Sequence, residues 1–181
     1  MIRGKSIQYW IDHSDDLYYF RNNIGVNWKK ISKYKNLPED FIIKFKDKIS
    51  WWDLDIENYN IEIIKKYKDK INWACISRKK ELSKTFIRNF KDYVHWWAIS
   101  HNQKLSEDFI KEFQNEVNWN LISQYQTLSE DFIRQFQDKV DWENISFKQK
   151  LSENFIREFR DKVYWKNISE YQKLSQNFIR E

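Results

Sequence analysis

Catalysis needs groups that converge, and the reactive groups here are few: His13, His95, His101, the lone cysteine Cys75 and scattered carboxylates. Metal-assisted or nucleophilic chemistry calls for a His-Glu-x-x-His helix, a Cys-x-x-Cys pair or a Ser/His/Asp set, and the sequence has none of these. Gly4 and Gly25 stand apart, which excludes the glycine-spaced loops that cradle phosphates. We therefore expect no enzyme, with no catalytic, metal or cofactor-binding residue. What remains is stacking and charge, supplied by 10 Trp, 10 Tyr, 13 Phe and 32 Lys plus Arg. Two Trp pairs, 51–52 and 96–97, are the most unusual features.

The elements that must position these groups come from a tandem repeat. Tryptophans fall at 28, 51, 73, 96, 119, 142 and 165, with 23 residues between neighbours except for 22 between Trp51 and Trp73. One phrase recurs around them, clearest in 128–150 (LSEDFIRQFQDKVDWENISFKQK) and 151–173 (LSENFIREFRDKVYWKNISEYQK). Copies are numbered one to seven by their Trp. Ten residues before each Trp stands an apolar residue such as Phe109, six before stands an aromatic such as Phe113 except for Asn22 in the first copy, and three after stands Ile or Leu, such as Ile122. These i, i+4 and i, i+3 spacings are helical and not the alternation of a strand.

Helix ends are also legible. Ser83, Ser106, Ser129, Ser152 and Ser175 precede the first Phe by three, as N-caps do, and Pro38 stands there in copy two. Asn27, Ser50, Asn72, Asn118 and Asp141 precede Trp and are expected to cap a second helix, with His95 taking that place in copy four. Each copy thus reads as a helix of about nine or ten residues, a turn, and a helix of about six to eight, too short to stand without neighbours. The expected fold is all-α: a right-handed α-helical solenoid of about seven 22–23-residue repeats. Residues 1–22 read as a divergent N-terminal cap, 23–173 as the repeats, and 174–181 as the start of an eighth repeat or a C-terminal cap, with truncation possible.

The W-x-x-I-S and L-S-E-x-F-I-R-x-F phrases resemble those of tandem-repeat proteins of large DNA viruses that infect protists, over roughly residues 23–181. The layout is similar to leucine-rich-variant α-solenoids. The resemblance implies architecture and a viral origin. One cysteine, no apolar run long enough for a membrane helix and no signal-peptide core in MIRGKSIQYW suit the cytoplasm, that of the host cell if the chain is viral.

Function is expected in the columns that stacking does not need. The residue after the core Trp is Lys29, Trp52, Ala74, Trp97, Asn120, Glu143 or Lys166, a variable and mostly polar series that should face solvent. Trp52 and Trp97 would be exposed anchors there. Charge is uneven as well: residues 1–90 hold 19 Lys and Arg against 12 Asp and Glu, while 91–181 hold 13 against 15. The excess clusters at Lys44–Lys48, Lys65–Lys70 and Arg78–Lys80, which suits an anion or an acidic partner. By contrast, the column Lys65, Arg88, Lys111, Arg134, Arg157, Arg180 should pair along its helix with Glu107, Glu130 and Glu153. Residues 40–103 depart most from the consensus, so Trp52, Trp97, Lys66, Lys68 and Lys79 are the expected functional face, with copies five to seven as spacer. Two readings follow: a scaffold for a host or viral protein, or capture of an anionic ligand such as a nucleotide messenger or single-stranded nucleic acid. Uncapped ends would favour self-association.

Overall fold

The computed structural model describes residues 27–34, 37–56, 59–79 and 81–180; the expected cap at 1–22 lies outside them. Among the described residues there are thirteen α-helices and no strands. They are α1 (Trp28–Ser32), α2 (Glu39–Lys44), α3 (Ile61–Lys66), α4 (Trp73–Ser77), α5 (Lys84–Asn89), α6 (Trp96–Asn102), α7 (Glu107–Glu112), α8 (Trp119–Tyr125), α9 (Glu130–Gln135), α10 (Trp142–Lys148), α11 (Glu153–Glu158), α12 (Trp165–Tyr171) and α13 (Gln176–Arg180). The fold is an all-helical repeat solenoid. It divides into two compact units, Met1–Cys75 and Ile76–Glu181. In the second, α6, α8, α10 and α12 pack on one another in succession.

The helix that opens each copy is shorter than the spacing predicts. Each of α7, α9 and α11 has six residues, and hydrogen-bonded turns then carry the chain onward, as in Phe113–Glu116. The turn forms because Val117 N–H donates 3.0 Å to Phe113 O, which pulls Val117 into the core beside Phe109, Ile110 and Phe113. The predicted serine caps form: Ser83, Ser106, Ser129, Ser152 and Ser175 each accept the N–H three residues on. In copy three Asn60 takes this part, accepting from Glu62 N–H. Before Trp, Asn27, Asn72, Asn118 and Asp141 cap as expected. His95 and Tyr164 occupy the cap position without a side-chain bond.

Copy two departs from the pattern. Its Trp51–Leu54 segment is a run of turns, not an α-helix, and Ser50 Oγ donates 2.8 Å to Asp53 Oδ2 instead of capping.

Two sets of contacts join successive copies. In the first, each Trp is a clamp. Trp119 Nε1–H donates 2.9 Å to Gln114 O within its own copy, and its ring lies 5.0 Å from Phe136 and 6.3 Å from Phe132 of the next. Trp142 repeats this against Phe159 and Phe155. Most of the Trp column is therefore half-buried at the repeat interface, while Trp51 is fully in the core and Trp165 is 50 % exposed.

The second set is polar and buried, and no local pattern in the repeat announces it. Ser32, Ser77, Ser100, Ser123 and Ser146, the serines of W-x-x-I-S and its variants, have no solvent exposure. Ser123 Oγ donates 2.8 Å to Trp119 O and accepts 2.9 Å from Asp141 N–H of the next copy. Gln126 goes further. Its Oε1 accepts from Leu105 N–H at 3.0 Å, and its Nε2 donates to Gln103 O and Ser100 O at 2.9 and 3.1 Å. Gln149 and Gln172 make the same three bonds, which builds a glutamine ladder through the second unit. In the first unit, Leu37 N–H finds the Tyr59 hydroxyl instead, a phenol whose pKa burial raises. No buried polar side-chain atom among the described residues lacks a partner.

Truncating Trp119 to Ala removes a ring from a packed interface and should cost about 3 kcal/mol in a denaturant melt. Gln126→Leu, which keeps the volume and strands one N–H and two carbonyls, should cost about 2–3 kcal/mol. If Gln126→Leu melts like the parent, the ladder does not hold the copies together.

Candidate binding surface

The five expected site residues fall in two units: Trp52, Lys66 and Lys68 in the first, Trp97 and Lys79 in the second. Trp52 follows Trp51 in the turn of copy two and is 62 % exposed; Trp97 is the second residue of α6 and is 55 % exposed. Their exposure follows from register, since the neighbouring Trp51 and Trp96 take the inward positions. Lys66 ends α3 in solvent with Nζ 5.7 Å from the Tyr67 ring centroid, and Lys68 is half-buried in a short 3-10 helix, Lys68–Lys70. Lys79 is half-buried, and its carbonyl accepts from Gln103 Nε2, so its backbone is part of the ladder.

The cation-rich first unit is less free than its sequence suggests. Lys65 pairs with Glu62 at 3.1 Å, Lys70 with Asp47 at 2.6 Å and Lys33 with Asp53 at 3.6 Å. The Lys70 hydrogen bond holds the Asp47 carboxyl below its ordinary pKa.

The Arg column also pairs differently from the i, i+4 expectation. Arg134 keeps a 3.7 Å contact with Glu130 of its own helix, yet its Nε donates 2.9 Å to Glu158 of the next copy. Arg88 grips Glu112 of the next copy with both Nε and Nη2 at 2.8–3.0 Å and lies over the Phe109 ring. Glu107, Glu130 and Glu153 instead accept the cap N–H groups of Ser129, Ser152 and Ser175 in the next copy. These charges therefore bind copy to copy, and little of their strength is left for a ligand.

A different cluster has no such structural duty. The Trp97 and His101 rings stack at 5.5 Å and 9° within α6, and His101 meets Tyr125 of α8 at 4.4 Å. His101 Nδ1 lies 2.9 Å from Asn102 Oδ1. Tyr125 is 49 % exposed at the end of its helix. His101, Lys104, Tyr125 and Thr127 line one open depression. Two copies on, Phe147 and Tyr171 repeat the arrangement at 4.4 Å, with Tyr171 48 % exposed. Copies five to seven thus carry exposed aromatics of their own. The i, i+4 spacing of Trp97 and His101 is a readable signal of this contact, whereas the residue type of His101 alone points to a ligand or catalyst.

Among the described residues no three His, Cys, Asp or Glu side chains stand close enough to hold a metal ion. Cys75 is a free, half-buried thiol in α4, and His95 is exposed. No described helix is long and apolar enough to cross a membrane. Comparisons with family models, curated proteins and solved structures give no match to this chain.

The inter-copy carboxylates make stability depend on pH. The Arg88 hydrogen bond lowers the pKa of Glu112, and the Ser175 N–H lowers that of Glu153. A carboxyl with a depressed folded-state pKa contributes stability that is present above its unfolded value and lost as pH falls through the folded one. The melting temperature should therefore drop below about pH 4. The drop should shrink in a Glu112→Gln/Glu153→Gln variant; an identical acid profile would refute the linkage.

Proposed function

We propose that the protein is a non-catalytic repeat scaffold that binds a protein partner through exposed aromatics on its helix ends. The observation that carries this reading is the Trp97–His101–Tyr125 cluster, an apolar surface on rigid helices that the fold does not need for its own packing. Exposed Trp and Tyr held in place supply large contact area with little entropy to lose, which is the usual character of interface anchors. Trp52 offers a further anchor in the first unit. The non-catalytic part rests on His95, His101 and Cys75 standing in unrelated columns. The likeness of the repeat phrases to those of large DNA viruses supports a viral origin, with a host or viral partner met in the host cytoplasm.

Capture of an anionic ligand, a nucleotide or single-stranded nucleic acid, is the second reading. Lys66, exposed and lying over Tyr67 near Lys68, favours it, because a cation beside an aromatic ring suits phosphate and base together. The two readings differ in salt response: nucleic-acid binding weakens steeply with added salt, and an apolar protein contact does not.

The test is a pull-down from host lysate with the parent and a Trp52→Ala/Trp97→Ala variant. A specific protein retained by the parent should be lost by the variant, with the melting temperature unchanged to within a few degrees, since exposed sites contribute little stability. Unfolding of the variant, or retention of the same protein, would defeat the assignment of these anchors.

A further inference from the structure

In copies four to seven, one residue between the ladder glutamine and the leucine that follows it is used by neither stacking nor the ladder. It is Lys104, Thr127, Lys150 or Lys173, and all four are exposed. Among the described residues, no carboxylate lies within ion-pair distance of the three lysines. They contrast with Arg88, Arg134 and Lys162, each of which is neutralised by an acid of a neighbouring copy. The lysines adjoin the aromatics described above, since Lys104 and Thr127 line the same depression as His101 and Tyr125. Lys148 adds a cation 4.0 Å from the Phe147 ring centroid, and Glu170 accepts the Tyr171 hydroxyl at 2.9 Å. The second unit thus carries two aromatic pairs, His101–Tyr125 and Phe147–Tyr171, beside exposed Lys104, Lys150 and Lys173, which share one column of the repeat.

Geometry narrows what fits. The Trp helices of successive copies pack directly, so equivalent positions recur at about 8–10 Å. A polyproline II chain advances about 3.1 Å per residue with three residues per turn, so every third side chain faces the same way at about 9 Å intervals. That pitch falls within the packing range of neighbouring helices. We infer that this face of the second unit binds an extended acidic peptide segment with a carboxylate at every third position. Its acids meet Lys104, Lys150 and Lys173, with Thr127 facing the remaining one, and its apolar residues lie on Tyr125, Phe147 and Tyr171. Extended proline-rich chains dock on aromatic-lined grooves because little entropy remains to be lost. The inference rests on the protein-binding reading and gives it a ligand chemistry.

The probe is a fluorescein-labelled ten-residue peptide with Glu at positions 1, 4, 7 and 10 and Pro, Leu or Tyr between, followed by fluorescence anisotropy against the full chain. An isomer with the four Glu contiguous is the control, and labelled oligothymidylate is a third arm. The spaced peptide should bind at least tenfold more tightly than its isomer. It should lose that advantage in Lys150→Glu/Lys173→Glu, whose melting temperature should match the parent because both sites are exposed. Equal binding of the two peptides, binding of neither, or tighter binding of the oligonucleotide would overturn the inference. The lysate experiment with Trp52→Ala/Trp97→Ala is read separately. A partner that depends on Trp52 and Trp97 would keep the scaffold reading standing even where the spaced peptide fails.

Discussion

Helices of five to seven residues do not persist in water, because nucleation costs more than so few hydrogen bonds return. Everything in this fold depends on how one copy satisfies the next, and in the second unit buried serine and glutamine side chains do much of that. Ser100, Ser123 and Ser146 reach forward to the cap N–H 18 residues on. Gln126, Gln149 and Gln172 reach back to carbonyls 23 and 26 residues earlier. A buried polar group without a partner is costly, so these bonds gain most of their force from the penalty of leaving them unmade. They fix register in a way that apolar contacts alone would not.

The aromatic contacts supply the non-directional part. Trp119 and Trp142 each span an interface, the ring on the Phe pair of the following copy and the N–H satisfied within its own copy. Arginine caps the same Phe from the other side: Arg134 lies 5.0 Å from the Phe155 ring centroid while holding Glu158. Ring, guanidinium and carboxylate thus form one inter-copy unit, which is why the Arg column is spent on structure.

The helical repeat was legible because its signals are local: Trp spacing, Phe pairs at i, i+4, and serines three before Phe. The ladder was not. A glutamine in a turn phrase such as Q-K-L-S reads as solvated, and nothing local says that its partners lie more than twenty residues away. Glu130 misled for the opposite reason, since its i+4 arginine gave a sufficient local explanation while its Oε1 served Ser152 of the next copy. At the surface, the column after the core Trp correctly marked Trp52 and Trp97 as outward. His101 and Tyr125 were missed because their significance comes from meeting across two copies.

Register also explains where the sequence was free to vary. Copy two carries Asp55 where W-x-x-I-S has serine, and the ladder column holds Lys35, Asn58 and Lys80 before glutamine first appears at 103. The short 22-residue spacing falls in this same stretch, between Trp51 and Trp73. A chain bound by three side-chain bonds per glutamine cannot drop a residue without misaligning them all, whereas one held by a tyrosine hydroxyl at Leu37 has only one such bond to place. Irregular spacing and the lack of the ladder therefore belong together, and the ladder is what keeps Lys104, Thr127, Lys150 and Lys173, each beside a ladder glutamine, in register from copy to copy.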